Sequence, residues 1–153
     1  MDSYATPLPD RWPTLRVAAC VLSSAEKPVG SRDGMRRSVQ TCPFYSAWPS
    51  LVARDIQTLH TAIAARDIAL LGSTAEANCL AMHSLMMATR PPILYALPET
   101  LTAIRTVWTA RAEGLPVWFT MDAGPNLKLL FESPSESTIR TLFPTATLVS
   151  PFA

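Results

Sequence analysis

Asp122 is a carboxylate in a short turn, where a side chain could act as a catalytic base. The turn joins two segments rich in β-branched, aromatic and aliphatic residues, Val117–Met121 and Leu127–Phe131. Such segments favour strands, so the pattern predicts a β-hairpin with Asp122 at its rim. Gly124 permits a positive φ and Pro125 fixes its own φ, which together favour a rigid turn. An Asp in a hairpin turn also commonly binds only its own backbone, and this structural alternative stays open.

A second segment, Val29–Arg37, combines two glycines with a hydroxyl group and several cations. We predict a loop here, in which backbone amides could approach an anion. Ser31 could donate a hydrogen bond, and Arg32 offers a planar fork that matches phosphate or carboxylate. The alternative is a solvated turn that carries a surface arginine.

Together and in this order, the two segments resemble those of diphosphomevalonate decarboxylase, a family of the GHMP kinase superfamily. The resemblance rests on Val21–Pro43 with its run Lys-Pro-Val-Gly-Ser-Arg-Asp-Gly-Met, on Glu76-Ala77-Asn78 with Met82-His83, on Arg90-Pro91-Pro92, and on Asp-Ala-Gly-Pro-Asn at residues 122–126. It extends from the first residue to about Glu132. It covers only the C-terminal half of the family's protein.

The resemblance implies a function in the mevalonate pathway of isoprenoid biosynthesis. The family converts (R)-5-diphosphomevalonate and ATP to isopentenyl diphosphate, ADP, phosphate and CO2. In that reaction Asp122 would be catalytic and would lie beside the 3-hydroxyl of the substrate. Ser31 and Arg32 would bind the anionic end of diphosphomevalonate, and no residue of this chain is expected to bind a metal ion.

The resemblance also implies ATP and Mg2+ as cofactors, bound mainly by the N-terminal half of the family's protein. That half carries a lysine-bearing strand and a Gly/Ser-rich phosphate loop. The five glycines of this chain form neither a G-x-x-x-x-G-K-[ST] nor a G-x-G-x-x-G pattern. We therefore expect a truncation, a split gene or an expression boundary, with the N-terminal half as partner and an isolated chain that is inactive. A homodimer stays open.

Composition favours a globular cytoplasmic protein. The 153 residues are 48% hydrophobic and 16% charged, with a formal net charge of +1, so neither disorder nor nucleic-acid binding is expected. Apolar stretches are short and interrupted, which argues against a membrane span or a secretory signal. Cys20, Cys42 and Cys79 are widely spaced, and we predict reduced structural thiols rather than a disulfide or zinc site.

The order of elements predicts an α+β fold of one domain, residues 1–153. The predicted elements are a strand Leu15–Leu22, a helix from near Pro49, a helix capped by Asp67 and ended by Pro91-Pro92, a helix Pro98–Ala112, the hairpin, a helix opened by a Ser133/Glu136 capping box, and an edge strand Thr147–Val149. This order is typical of an antiparallel sheet with helices on one face. The C-terminal domain of the resembling family is ferredoxin-like, which agrees.

Helical spacing also predicts which side chains point inward. In the helix from Pro49 these are Val52, Ile56, Leu59 and Ile63, and in the helix Pro98–Ala112 they are Leu101, Ile104 and Trp108. His83 is expected to pack or to bind locally. Glu76 and Asn78, in mid-helix, are expected to face solvent or to meet a loop near the site, without a catalytic role.

Two other functions remain open at this point. A small-molecule kinase of the same superfamily would share the fold but would lack the Asp122 turn in its C-terminal half. A non-catalytic binding or regulatory module, or a gene remnant, would keep the fold without turnover.

Overall fold

A computed structural model describes residues 11–152 of the chain, and within that range it contains a four-stranded sheet and five α-helices. The elements in chain order are β1 (Leu15–Cys20), α1 (Ser31–Thr41), α2 (Trp48–Ala65), α3 (Ile68–Met87), α4 (Pro98–Ala112), β2 (Val117–Met121), β3 (Leu127–Glu132), α5 (Glu136–Leu142) and β4 (Thr147–Val149). The strand order is β2-β3-β1-β4, and all neighbours are antiparallel. The predicted α+β class with an antiparallel sheet is confirmed. No helix between residues 11 and 152 is long and apolar enough to cross a membrane.

Alternation along β3 divides the sheet into a buried face and a half-exposed face. Leu127, Leu129 and Phe131 are almost completely buried, while the intervening Lys128 and Leu130 are half-buried. Because side chains alternate along a strand, the register carries this pattern into the neighbouring strands. The buried face packs against α3, α4 and α5, so helices lie on one face of the sheet as predicted.

Helix α4 turns a different face to the sheet from the one predicted. Ile104 is buried as expected, but Leu101 and Trp108 are 54% and 43% exposed, so their predicted inward position was wrong. The buried stripe consists of Ala103, Ile104, Val107 and Ala110. Small residues on this stripe let the helix approach the sheet closely, whereas the bulkier Trp108 lies at the side of the helix.

Glu76, in the middle of α3, is buried and binds the outer edge of β2. Its carboxylate accepts hydrogen bonds from Trp108 Nε1 at 2.7 Å, from Arg111 Nη1 at 2.8 Å and Nη2 at 2.9 Å, and from Phe119 N at 3.4 Å. The prediction that Glu76 faces solvent or a loop was wrong. Since β2 is the terminal strand of the sheet, α3 covers an edge whose backbone groups would otherwise be unpaired.

The segment predicted as a Gly-Ser-Arg loop is the first turn of a helix. Gly30 is the N-cap of α1, and both Ser31 and Arg32 are helical. The second glycine, Gly34, lies where α1 packs against Tyr95, and a Cβ there would lie only 2.8 Å from Tyr95 Oη. Gly34 therefore permits close packing of α1 against Tyr95. In the sequence, a glycine with this role cannot be distinguished from a glycine that marks a loop.

Helix ends were predicted with mixed success. The Asp67 carboxylate accepts a hydrogen bond from Leu70 N at 2.9 Å, which confirms the predicted cap of α3. The Ser133/Glu136 capping box was wrong, because Ser133–Ser135 forms a 3-10 turn before α5. The Glu136 carboxylate instead binds Arg16 and Arg140, which lower its pKa, with Arg140 contributing most.

The remaining differences concern a strand end and one helix face. Strand β1 ends at Cys20, two residues before the predicted Leu22, because Asn126 Oδ1 binds the backbone that follows the strand. In α2, Ile56 is 45% exposed, so its predicted inward position was wrong, whereas Asp55 is buried and binds Asn78 Nδ2 at 2.8 Å. This hydrogen bond to α2 also explains the polar side chain of Asn78 in the middle of α3.

All three cysteines are free and buried. Burial raises the pKa of Cys20 to about 11, and burial likewise raises the pKa of Cys79. At neutral pH the thiols of Cys20 and Cys79 are therefore protonated, and a protonated thiol is a poor nucleophile. This agrees with the structural role expected for them.

We predict that Glu76→Ala lowers the free energy of unfolding by about 3 kcal/mol or more, because Arg111 and Phe119 N then lose their buried acceptor. Glu76→Gln should cost less, since its amide oxygen can still accept from the donors that meet one of the two carboxylate oxygens. Urea titration of each variant measures the effect. The exposed Glu113→Ala should change the value by less than about 0.5 kcal/mol, and an equally small loss for Glu76→Ala would contradict the role of this network.

Candidate active site

Asp122 lies in the turn between β2 and β3, so the predicted hairpin is confirmed. Its side chain is 80% exposed and forms an ion pair with Lys128, which projects from β3 on the half-exposed face of the sheet. Gly124 does not adopt the positive φ that was anticipated; between residues 11 and 152 the only glycine with a positive φ is Gly114, at 98°. Gly124 is buried beside the aliphatic part of Lys27. A Cβ at position 124 would lie 3.9 Å from Lys27 Cδ.

The backbone of this turn is fixed by side chains from separate parts of the chain. His83 Nε2 of α3 donates to the Asp122 carbonyl at 2.9 Å, and Gly124 N donates to the same oxygen at 2.8 Å. Lys27 Nζ donates to the Ala123 carbonyl at 2.7 Å. The Asp122 carboxylate is therefore exposed, but the backbone that carries it is held from both sides.

The far end of the turn is held in the same way. Thr100 Oγ1, on α4, donates to the Pro125 carbonyl at 2.9 Å. Asn126 Oδ1 accepts from Leu22 N and Ser23 N at 2.8 and 3.0 Å, and Asn126 Nδ2 donates to the Ser23 carbonyl at 3.0 Å. The side chain of Asn126 thus joins the hairpin turn to the segment after β1 through three hydrogen bonds to backbone atoms.

An open pocket of about 280 Å³ lies beside this turn. Its floor comes from the end of β1 and its rim from the turn, and its charged side chains are Asp122, Lys27 and Lys128. The pocket thus contains two ammonium groups and one carboxylate, so it favours a ligand that carries both negative charge and a hydroxyl group. The volume is at the small end of the ~300–1,000 Å³ typical of ligand sites, which suits one part of a substrate.

Ser31 and Arg32 lie outside this pocket, on the first turn of α1, and both are exposed. The start of α1 is close to the Asp122 turn, because Val29 and Ala123 pack in the same apolar cluster. Side-chain contact between Asp122 and Ser31 or Arg32 is not formed. A neighbouring groove of about 440 Å³, beside Gly30, is lined by Arg36, Arg37 and Arg90 and extends the positive surface.

Sequence reasoning missed Lys27 and Lys128. The alternation of β3 placed Lys128 on the side opposite to the buried leucines, and this was the one signal that could have indicated it. Lys27 opens the Lys-Pro-Val-Gly run on which the resemblance rests, but it lies 96 positions before Ala123 and only the fold brings them together. His83 was expected to pack or bind locally; it is buried, and its hydrogen-bond partner is 39 positions away.

The donor atoms of this site do not by themselves suit a magnesium ion. Within residues 11–152, no three His, Cys, Asp or Glu side chains come together as candidate ligands. The carboxylate of the pocket, Asp122, is paired with Lys128. Nor does the printed sequence contain a phosphate-binding glycine loop. We therefore assign no chemical step to a metal ion or nucleotide held by these residues.

Residues 17–149 match the model of the mevalonate 5-diphosphate decarboxylase C-terminal domain family. The chain belongs to this family. Among curated members, the diphosphomevalonate decarboxylase of Schizosaccharomyces pombe is 33% identical over 138 residues, which are 88% of this chain and 35% of that protein. The resemblance found from the residues alone is thereby confirmed.

Solved structures of the decarboxylase agree with this assignment. The mevalonate diphosphate decarboxylase from Enterococcus faecalis aligns with a TM-score of 0.81 and 35% identity, over 89% of this chain and 42% of that one. MDDEF in complex with MVAPP, AMPPCP and magnesium aligns with a TM-score of 0.83 and 38% identity, over 89% and 43% of the two chains. The chain thus spans about a third of the length of the curated decarboxylases it matches. The fold is that of the GHMP-kinase-type decarboxylases.

The environment of His83 predicts a pH dependence of stability. Burial lowers the pKa of His83, and its hydrogen bond to the Asp122 carbonyl opposes this only in part. As pH falls below the ordinary histidine pKa of about 6.5, the unfolded chain takes up a proton before the folded chain does. The free energy of unfolding should therefore fall between about pH 7.5 and pH 5.5.

His83→Gln should flatten this dependence, because glutamine does not titrate, while the exposed His60→Gln should leave it unchanged. Urea titrations at several pH values measure the slope for each protein. An unchanged slope in His83→Gln would show that another group is responsible.

Proposed function

We propose that this chain is the substrate-binding and catalytic C-terminal domain of an ATP-dependent diphosphomevalonate decarboxylase. The complete enzyme would convert (R)-5-diphosphomevalonate and ATP to isopentenyl diphosphate, ADP, phosphate and CO2, in the cytoplasm. Membership of the decarboxylase family supports this proposal. The observation that carries it is the exposed Asp122 carboxylate on a firmly held turn, paired with Lys128 in a pocket that Lys27 also lines.

In this proposal Asp122 accepts or orients the proton of the 3-hydroxyl of diphosphomevalonate. Phosphorylation of that oxygen makes it a leaving group, and its loss together with the neighbouring carboxylate as CO2 gives the alkene. A base must lie within hydrogen-bond reach of the proton it takes, and the exposed side chain of Asp122 allows this. Lys27 and Lys128 would attract the anionic substrate.

Ser31 and Arg32 would bind the diphosphate of the substrate. They occupy the first turn of α1, whose N-cap, Gly30, makes no side-chain capping bond. The amide groups of such a turn and the helix dipole favour a negative group. Because the start of α1 packs beside the Asp122 turn, one extended substrate could reach both regions.

ATP and Mg2+ would be held mainly by the N-terminal half of the enzyme, which is therefore a required partner, and the complete enzyme could be a homodimer. The alternative is a non-catalytic binding or regulatory module that keeps the fold. The two proposals differ in one measurable property, which is turnover once an N-terminal half is supplied.

We predict that the 153-residue chain alone neither binds ATP measurably nor releases phosphate from ATP plus diphosphomevalonate. Joining it to the N-terminal part of the Enterococcus faecalis enzyme should restore phosphate release. Calorimetric titration with ATP and a phosphate-release assay test both statements. Tight ATP binding by the chain alone would contradict the division of roles, and a folded, ATP-binding chimera without turnover would favour the module.

In the same chimera, Asp122→Asn should lower kcat by ~10²–10⁴-fold, the usual contribution of a general base, with a nearly unchanged KM. The fold should persist, because the side chain is exposed and the turn is held through its backbone. Glu113→Gln, at the exposed C-cap of α4, serves as the control. A destabilised but active Asp122→Asn protein would favour a purely structural role, in which the loss of a local bond costs about 0.5–2 kcal/mol.

A further inference from the structure

We propose that His83 and Tyr95 are positioning residues that hold the Asp122 turn and the entry to α1 in one fixed arrangement. This inference rests on the proposed function, because it concerns how the Asp122 turn and the start of α1 are held at a fixed distance from each other. Neither side chain lines the pocket beside Asp122, so neither is proposed to touch the reacting atoms.

His83 acts on the catalytic side of the arrangement. A carbonyl oxygen only accepts hydrogen bonds, so the 2.9 Å contact with the Asp122 carbonyl requires a proton on His83 Nε2. The imidazole is 7% exposed, and burial lowers its pKa, which favours the neutral form. The neutral Nε2–H tautomer therefore fixes the backbone of Asp122 without placing a charge beside its carboxylate.

Tyr95 acts on the other side. Its hydroxyl donates to the Val29 carbonyl at 3.0 Å, one residue before the N-cap of α1. The Tyr95 ring is 5% exposed, and its hydroxyl lies so close to Gly34 that a Cβ there would clash at 2.8 Å. Tyr95 therefore sets both the direction in which the chain enters α1 and how closely that helix approaches.

The two side chains also contact each other. The rings of His83 and Tyr95 lie edge to face, with centroids 6.1 Å apart and an interplanar angle of 80°. Around them, Val29 and Ala123 share one apolar cluster with Met86. A continuous path thus runs from the Asp122 carbonyl through the buried side chains of His83 and Tyr95 to the Val29 carbonyl.

Such a path matters because the two regions are far apart in sequence and Asp122 and Ser31 make no direct contact. Catalytic groups must be held within about 0.5 Å of their productive positions, and a misplacement of about 1 Å can cost a hundredfold in rate. Neither the hairpin nor α1 alone fixes the distance between them. The His83–Tyr95 pair supplies that constraint from the body of the domain.

The first test uses the 153-residue chain and nuclear magnetic resonance. At about pH 7.5, above the ordinary histidine pKa, the imidazole of His83 should show a protonated Nε2 and an unprotonated Nδ1. His83→Leu, which removes the donor, should shift the amide signals of Ala123 and Gly124 and also those of Gly30–Arg32. Tyr95→Phe should shift the same two groups of signals, and His60→Leu should shift neither.

This result would be overturned by an Nδ1-protonated His83, or by a His83→Leu spectrum in which residues 30–32 are unchanged. Should His83→Leu fail to fold, the tautomer of the unsubstituted chain and the Tyr95→Phe spectrum still decide. His83→Gln is the conservative variant, because its amide nitrogen can donate to the Asp122 carbonyl.

The second test measures kinetics in the chimera with the Enterococcus faecalis N-terminal part. His83→Leu should lower kcat by about tenfold or more with a KM changed by less than about twofold, and His83→Gln should recover most of kcat. A merely structural role would lower the melting temperature and leave kcat of the folded enzyme unchanged, which would overturn the proposal. Asp122→Asn is measured beside it: full activity there refutes the proposed function, whereas an inactive Asp122→Asn with a fully active His83→Leu refutes only the positioning role.

Discussion

The buried carboxylate of Glu76 is the contact on which the arrangement of α3, α4 and the sheet depends. It joins Arg111 and Trp108 of α4 to the free amide of Phe119, at the outer edge of β2. A buried charge is tolerated only when it is fully paired, and here four donor groups satisfy it. His83 lies two helical turns further along α3, so one face of α3 binds first the middle of β2 and then the turn at its end. The position of Asp122 is therefore set by a helix rather than by the hairpin itself.

Much of the fold could be predicted from local patterns. The alternating leucines of β3, the proline that opens α4 and the Asp67 cap each act through their own neighbours, so the sequence alone indicated them. Predictions failed where a residue serves a distant partner. Gly34 resembled a loop residue but accommodates Tyr95, and Trp108 resembled a core residue but binds Glu76 from the side of α4. The Glu136 carboxylate, which was read as a helix cap, binds arginines instead.

The same difference between local and distant partners decides which residues of the candidate site the sequence could indicate. Asp122 could be proposed because a carboxylate in a strand–turn–strand pattern is recognisable within a few residues, and Ser31 and Arg32 because a hydroxyl and a guanidinium stand between two glycines. Lys27, Lys128 and Tyr95 were missed because their relation to the site exists only after folding. Electrostatics around Asp122 is thus a property of the tertiary structure. A motif can indicate which carboxylate to consider, whereas the cations that flank it come from the topology.

The Asn126 side chain, which bridges the hairpin turn to the segment after β1, has a consequence for dynamics. Hairpin tips are ordinarily the first parts of a sheet to open, because few contacts oppose their local unfolding. Here Asn126, together with the bonds from α3 and α4, ties the tip to the segment after β1 and to two helices that pack on the core. The backbone of this surface turn should therefore move on the timescale of the core, while the exposed carboxylate it carries is restrained by its ion pair with Lys128.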